Sequence, residues 1–494
     1  MIPILVSAQL NNHWSQNFND ESSLLSGAVV GGGGGPSAIY YNPATISEIN
    51  ESKLSLNASL FSFDFLNAKN AYGENIDFYN SRSYVIPRFL SYMLKPKNHS
   101  AWSFEVAFLN VANQSVDGVN YTDKNIDILS RFEGQEKYTA FSKYTSRYRD
   151  DWIGIGGSVK AKEKLYLGGS MFASFLSQHS YHTLQIDAQP SYQSISNPEQ
   201  YYYIASYQDQ ELVKFNDYRL LWKFGALYII NRISFGINLT TPVWSKIYSD
   251  GKRVMRKRSQ NNITDPESGE FKGNFLIIDY AEKKQVSVQT KTAFSIAAGF
   301  TYYNENKTKI LYSTFEYFAK INPYVIAKAD PTFSNGSNPE LDNNEFIQWL
   351  SFVEGAKPVF NVGIGYKWYI KENLMLLAGF KTDFNFKKDY DLKPYWRDFT
   401  IKSFNFNKYH FTGGSTLNIF GQDITAGIQY TLGYLKNMKQ IANLSDPVEF
   451  NEIEKKALQG TRMNVMNTIY NSVSIYVAAT FNFGSGNKNK DVKN

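Results

Sequence analysis

Ser472-Val473-Ser474-Ile475-Tyr476-Val477-Ala478-Ala479-Thr480-Phe481-Asn482-Phe483, near the carboxyl end of the chain, alternates in period two without a break. Successive side chains of a β-strand point to opposite faces, so Val473, Ile475, Val477, Ala479, Phe481 and Phe483 make one apolar face and the others a mostly small or polar one. A strand with lipid outside and water inside has this pattern. The run from Asp423 to Tyr434 repeats it: Ile424, Ala426, Ile428, Tyr430, Leu432 and Tyr434 take one parity and Asp423, Thr425, Gly427, Gln429, Thr431 and Gly433 the other. Taken alone, either run would also fit a soluble sandwich.

The connections decide between the two. Reading outward, the chain offers fourteen strand candidates: 53–65, 82–95, 100–115, 136–160, 165–188, 215–230, 233–249, 284–303, 308–321, 358–370, 374–387, 402–419, 423–435 and 471–483. Tight connections at Pro96 to His99, Ala161 to Lys164, Asn231 and Arg232, Asn304 to Lys307, Lys371 to Asn373 and Phe420 to Gln422 alternate with long polar ones. This predicts an all-β fold, a transmembrane antiparallel β-barrel over 51–484 with short periplasmic turns and long external loops. A soluble barrel has no reason to keep one rim short. No apolar run approaches the roughly 18 residues of a spanning helix, so any span is made of strands. Several strands exceed the bilayer, and Tyr138, Tyr144, Tyr148, Trp152, Trp244 and Tyr248 are expected as an aromatic girdle at the headgroups.

Composition agrees. Aromatics are 16 % of the chain and charged residues only 19 %, too aromatic for a disordered chain. Without cysteine there is no disulfide framework, thiolate metal site or cysteine nucleophile. The net charge of +6 is spread along the chain, not gathered in a nucleic-acid stripe. One basic cluster stands apart, Lys252, Arg253, Arg256, Lys257 and Arg258, expected in the long loop after the seventh strand. It is a candidate contact for lipopolysaccharide phosphates, although a solvated loop would carry the same charges.

Residues 1–8 (MIPILVSA) are apolar and end in Val6-Ser7-Ala8, a small-x-small pattern that reads as the tail of a signal peptide, with Gln9 as the mature start. From 9 to 50 runs a segment containing Gly31, Gly32, Gly33, Gly34 and Gly35, then Pro36-Ser37-Ala38-Ile39-Tyr40-Tyr41-Asn42-Pro43-Ala44. The glycine run lacks the Gly-Lys-Ser/Thr of a phosphate loop, and Asn42-Pro43 makes a helix start. A compact glycine-rich element of this size fits the lumen of a medium barrel. A polar tail occupies 485–494.

Chemical motifs are sparse. His179 and His182 lie three apart in a strand, on opposite faces, and cannot share a metal. No histidine is marked as partner to a serine or carboxylate. Asp330, Asp342 and Glu345 lack calcium-loop spacing. Neither enzyme chemistry, cofactor nor metal is expected. Asp446-Pro447 followed by Ile453, Leu458 and Gly460 predicts a short capped helix between the last two strands. In the third strand Trp102, Phe104, Val106 and Phe108 are apolar at even positions, then Leu109 and Val111 at odd ones, with Asn110 on the former lipid parity. A one-residue slip of this kind calls for a β-bulge near Phe108 to Asn110. The first strand switches similarly at Leu60 to Phe61.

On the glycine run, the Ser-Ala-Ile-Tyr-Tyr-Asn-Pro-Ala string at 37–44, the strand count and Thr241-Pro242 in the seventh strand, the chain resembles the FadL/TodX family of outer-membrane transport proteins. The resemblance implies that Gly31–Gly35, Pro36, Asn42, Pro43 and Ala44 belong to an amino-terminal hatch inside the lumen. It also implies a lateral exit into the bilayer at the kinked third strand, around Phe108, Leu109 and Asn110. The implied function is passive uptake of a hydrophobic small molecule, a long-chain fatty acid or aromatic compound, across a Gram-negative outer membrane. The implied partners are that ligand, outer-membrane lipid and lipopolysaccharide, and no nucleic acid. Some Bacteroidetes relatives instead serve as binding or shuttle partners of a protein-secretion system, and the Asn-, Lys- and Tyr-rich composition suits such bacteria.

Overall fold

The structure, a computed structural model, describes residues 12–96, 101–191, 203–264, 277–327, 352–387, 404–454 and 456–483. Residues 1–8, expected as a signal-peptide tail, the tail 485–494, His99 and the acidic residues Asp330, Asp342 and Glu345 lie outside them.

The first strands run as β1 (Lys53–Lys69), β2 (Phe78–Leu94), β3 (Trp102–Ile126), β4 (Glu136–Lys162), β5 (Leu165–Pro190), β6 (Ala205–Ile230) and β7 (Ile233–Thr240). An outer hairpin, β8 (Trp244–Asn261) and β9 (Ile277–Val286), precedes β10 (Ser295–Tyr303) and β11 (Lys309–Phe318). A second outer pair, β12 (Ile321–Ala327) and β13 (Phe352–Ala356), leads to β14 (Val359–Lys371), β15 (Leu374–Asp383), β16 (Asn407–Ile419) and β17 (Gln422–Met438). A minimal hairpin, β18 (Phe450–Asn451) and β19 (Lys456–Ala457), comes before the last strand, β20 (Met466–Asn482). Each wall strand pairs antiparallel with its neighbours, and β1 with β20 and β5 with β6 complete the circuit. Leaving out the two outer pairs and the minimal hairpin, the ring holds fourteen strands, so the closed ring has no terminal strand with a free edge along its whole length. Outward positions such as Phe63, Phe104, Ile155, Phe224, Ile364 and Ile428 are exposed and apolar, while Ser55, Ser103, Asn361, Thr412 and Thr480 are buried on the inner face. This is the transmembrane barrel that the period-two runs predict.

The seventh and eighth strand candidates each divide in two. Pro242 has no N–H to give a ladder, and at Thr241 to Val243 the chain steps sideways, so that β6 pairs with β7 below (Lys223–Ile230) and with β8 above (Ser206–Leu220). The basic cluster therefore lies on a strand, not in a loop. Cross-strand carboxylates hold its arginines there: Arg256 faces Glu211 (3.8 Å), Arg258 faces Asp209 (3.7 Å) and Arg253 pairs with Glu282 (2.9 Å).

Two more expectations need correction. Tyr138, Tyr144, Tyr148 and Trp152 are buried, and only Trp244 and Tyr248 are exposed. On β4 the even positions face inward, whereas Arg147 and Arg149 face out, so this part of the strand stands above the membrane and its aromatics build a core beneath the external loops. The segment from Asp446 to Gly460 forms the β18–β19 hairpin instead of a helix. Asn443 Oδ1 accepts from the amides of Ser445 and Asp446, and Asn451 Oδ1 from those of Ile453 and Glu454. Such side-chain turns compete with helix for the same donors.

Because the closed ring has no edge from which to fray, an unheated sample is expected to migrate anomalously on a denaturing gel and to shift after boiling. Identical migration before and after heating would contradict the barrel.

Candidate functional site

The amino-terminal segment lies inside the barrel, where its polar backbone needs partners. The wall supplies them from short inward side chains: Ser158 Oγ donates to Ala44 O (3.0 Å), Ser170 Oγ to Ile39 O (3.0 Å), Ser91 Oγ to Pro36 O (2.9 Å), Thr412 Oγ1 to Leu24 O (2.6 Å) and Ser234 Oγ to Gly31 O (2.5 Å). In the reverse direction, Ile39 N donates to Glu105 Oε2 (3.0 Å). Asn42 works as its position predicts: Oδ1 accepts from Ala44 N (3.1 Å) at the start of a 3₁₀ turn, Pro43–Glu48. Its Nδ2 also donates to Val30 O (2.8 Å) and to Ala226 O of the wall (3.2 Å).

At several points of closest approach between segment and wall, the wall residue is a glycine. A Cβ on Gly168 would overlap Pro43, on Gly225 Asn42, on Gly236 Val30, on Gly299 Gly31, and on Gly427 Leu24. From the other side, a Cβ on Gly31 would lie 2.6 Å from Phe300 N, and Gly32, Gly33 and Gly35 have φ of 127°, 76° and 51°. The glycine run thus serves both tight turning and close approach.

An extended arm, residues 12–18, crosses the lumen above this plug. Lys381 Nζ, buried on β15, donates to Trp14 O, to Gln16 O (3.2 Å) and to Asn17 Oδ1 (2.7 Å). Asp383 accepts from Trp14 N (2.8 Å), Glu316 accepts from Trp14 Nε1 (2.6 Å), and His13 stacks between Phe318 (3.8 Å) and Phe386 (4.4 Å). The arm separates two cavities, and Gln16 touches both. One sets Arg88, Lys408 and His410 beside Leu66, Phe404 and Phe406. The other is bounded by Tyr40, Trp152, Leu221, Lys223 and Val111. Each offers apolar surface and a few placed charges, the lining of a site for a small amphiphile.

Both cavities reach the same irregular part of the wall. The β2–β3 ladder runs only from Leu94↔Phe104 to Phe89↔Leu109. Beyond it β3 slips against β4 between Asn110 and Ala112, which leaves Val111 as the extra residue, one place past the stretch in which the phase change puts a bulge. Arg88 is extra on β2 against β1, and Leu60 on β1 against β20, at the second phase change. Phe108 and Leu109 thus form the last rungs, and Asn110, bonded to Asp151 (2.6 Å), begins the open part. Among the described residues only side chains bridge the seam above: Arg82 to Asn113 (3.2 Å), Asn80 to Asp117 O (2.6 Å) and Asn120 to Asp77 O (3.2 Å). Asn80, Tyr84 and Arg88 on one lip and Asn113 to Val116 on the other border the first cavity. Pro87 was the sequence signal missed here, since a proline inside a strand marks a place without ladder partners. Lys381 and Asp383 carried no local signal.

At the outer end the loop after β17 folds over the mouth. Leu444 and Leu458 are buried against Tyr72 and Tyr138, Tyr138 OH donates to Leu458 O (2.9 Å), and Lys124 Nζ donates to Leu444 O (2.7 Å). Glu454 pins the loop between Arg462 (2.6 Å) and Lys439 (2.8 Å). Burial pushes its carboxyl up, but the bonds and charges of Arg462 and Lys439 outweigh this and hold it at about 2.

No family model and no curated protein sequence matches this chain. Among solved structures it has the fold of the P. putida toluene transporter TodX (TM-score 0.56, 13 % identity, covering 95 % of this chain and 99 % of that one). It is also similar to a Pseudomonas aeruginosa FadL homologue (TM-score 0.50, 10 % identity, covering 97 % and 100 %). The resemblance read from the glycine run, the string at 37–44, the strand count and Thr241-Pro242 thus holds at the level of fold.

Two outcomes are expected. Gly236→Val should displace the segment and raise conductance in planar bilayers, while Gly169→Ala, whose added Cβ makes ordinary contacts with Phe224 at 3.7 Å and Lys223 O at 3.8 Å, should leave it low; equal conductance in both would contradict the fit. For the cap, a carboxyl held below its ordinary 4.5 stabilises the folded loop fully above that value, and the contribution is lost as pH falls towards about 2. Hydrogen exchange over 440–454, corrected for intrinsic rates, should therefore be slow at pH 5 and faster near pH 2, and Glu454→Gln should be fast at both.

Proposed function

We propose that this chain is an outer-membrane channel for the passive uptake of hydrophobic small molecules. Residues 9–50, including Gly31 to Pro36 and Asn42 to Ala44, form its hatch, and 51–484 its barrel. The observation that carries this reading is the pair of partly apolar cavities, divided by the arm, that border the stretch where β2 and β3 lose their backbone pairing. A filled lumen of this kind argues against a general porin. The ligand, a long-chain fatty acid or an aromatic compound, is taken between the external loops and passes the arm of 12–18. It leaves sideways through the seam that begins at Phe108, Leu109 and Asn110. The shared fold with a toluene transporter and a FadL homologue supports the class. In the basic cluster Lys252 is exposed, Arg253, Lys257 and Arg258 are half-buried and Arg256 is buried, and we assign the lipopolysaccharide contact to the cluster through its outward members.

The chain has no cysteine, so one engineered pair can be linked cleanly. Cysteines at Arg82 and Asn113, whose native side chains touch across the seam, should block uptake of a hydrophobic ligand when bridged by a cleavable thiol reagent, and cleavage should restore it. Full uptake through a bridge shown to be closed would refute the lateral exit. Retention of a secretion component in place of any amphiphile on purification would favour the shuttle reading.

A further inference from the structure

On the outer surface, one row of directly paired residues crosses four strands as Phe104, Gly157, Gly169 and Phe224. The two glycines have no side chain to turn outward, and the rings of Phe104 and Phe224 flank them, 3.2 Å and 3.7 Å from where a Cβ would stand. The row above is Val106, Ile155, Met171 and Trp222, and the row below is Trp102, Val159, Leu167 and Ala226. The result is a shallow, open notch of about 670 Å³ in an otherwise full apolar wall. A void facing hydrocarbon forfeits contacts unless something fills it.

Directly below the notch is the tight β4–β5 turn. It carries Lys160, Lys162 and Lys164 against Glu163, all exposed, so three cations and one anion leave two positive charges. No carboxylate of the described residues pairs with Lys162 or Lys164. Five residues separate Gly169 from Lys164, roughly 16 Å along the strand and about 12 Å in depth at the usual tilt. That is within the ~15 Å half-thickness of the hydrocarbon core. A single molecule can therefore reach both features.

We infer that the notch is a binding site for an anionic phospholipid of the leaflet facing the short turns. One acyl chain lies on Gly157 and Gly169 between the two phenylalanines, and the phosphate rests on Lys162 and Lys164. The charge at the rim selects a negative headgroup, and the side-chain-free floor selects a flexible chain. The site rests on the chain being an outer-membrane barrel but not on the transport route, since it lies outside the wall.

The test is native mass spectrometry of the detergent-purified protein offered equal amounts of phosphatidylglycerol and phosphatidylcholine with the same chains. The wild type should retain phosphatidylglycerol in preference. Lys162→Ser with Lys164→Ser, on an exposed turn, should lose that preference. Gly169→Leu should lose retained lipid of both kinds, with the heat shift on gels confirming that the barrel is intact. Equal retention of the two lipids by the wild type, an unchanged preference in the lysine variant, or undiminished retention by an intact Gly169→Leu barrel would each overturn the assignment.

Discussion

The structure depends on the fit of an irregular, glycine-rich segment against the inside of a closed sheet. A barrel of fourteen strands is too wide for its own inward side chains to fill, and the material that fills it here brings unpaired amides and carbonyls. Two properties of the wall make this tolerable. Serines and threonines at inward positions, Ser91, Ser158, Ser170, Ser234 and Thr412 among them, give short, stiff donors to the segment's carbonyls. Glycines at Gly168, Gly225, Gly236 and Gly299 let backbone approach backbone. Each bond of this kind contributes about 1 kcal/mol net, and each buried group left without one would cost about 1–3 kcal/mol, so the match has to be nearly complete.

One sector of the same sheet gathers irregularities on three adjacent strands. Leu60, Arg88 and Val111 are each extra residues on adjacent strands, and the pairing of β2 with β3 stops beside them. A single bulge could be a local accommodation. Three on neighbouring strands, next to a proline and a lost ladder, make a designed weak line in the wall.

Much of this was legible in the sequence and some was not, for physical reasons. Period two exposed the strands, because lipid outside and water inside impose opposite chemistry on alternate residues. Phase changes at Leu60 and at Asn110 were visible for the same reason, since a slip of one residue transfers the apolar set to the other face. Above the membrane the outer face meets water as well, and alternation no longer says which side is core. That is why Tyr138, Tyr144, Tyr148 and Trp152 read as a girdle and turn out to be buried. The basic cluster read as a loop because its compensating acids, Asp209, Glu211 and Glu282, lie on other strands. Lys381 is the extreme case: an isolated lysine in a strand, its partners more than 360 residues away in the chain.

The proposed sideways exit also follows from comparing what would have to break. Emptying the lumen downwards means pulling the segment from the wall, and the five serine and threonine bonds named above together represent about 5 kcal/mol, before the packing of Leu24, Leu25, Ile39 and Ile46 is counted. Parting β2 from β3 above Leu109 breaks no described ladder bond and only three side-chain bonds, those of Arg82, Asn80 and Asn120. These lie at or near the surface, where water replaces them. At the lower end of the seam, where Val106, Ile153 and Ile155 still face outward, an apolar ligand meets hydrocarbon and stays out of water, whereas below the hatch it would meet water and lose about 0.8 kcal/mol for each methylene exposed. Both comparisons favour the wall over the floor, and the second grows with the length of the ligand.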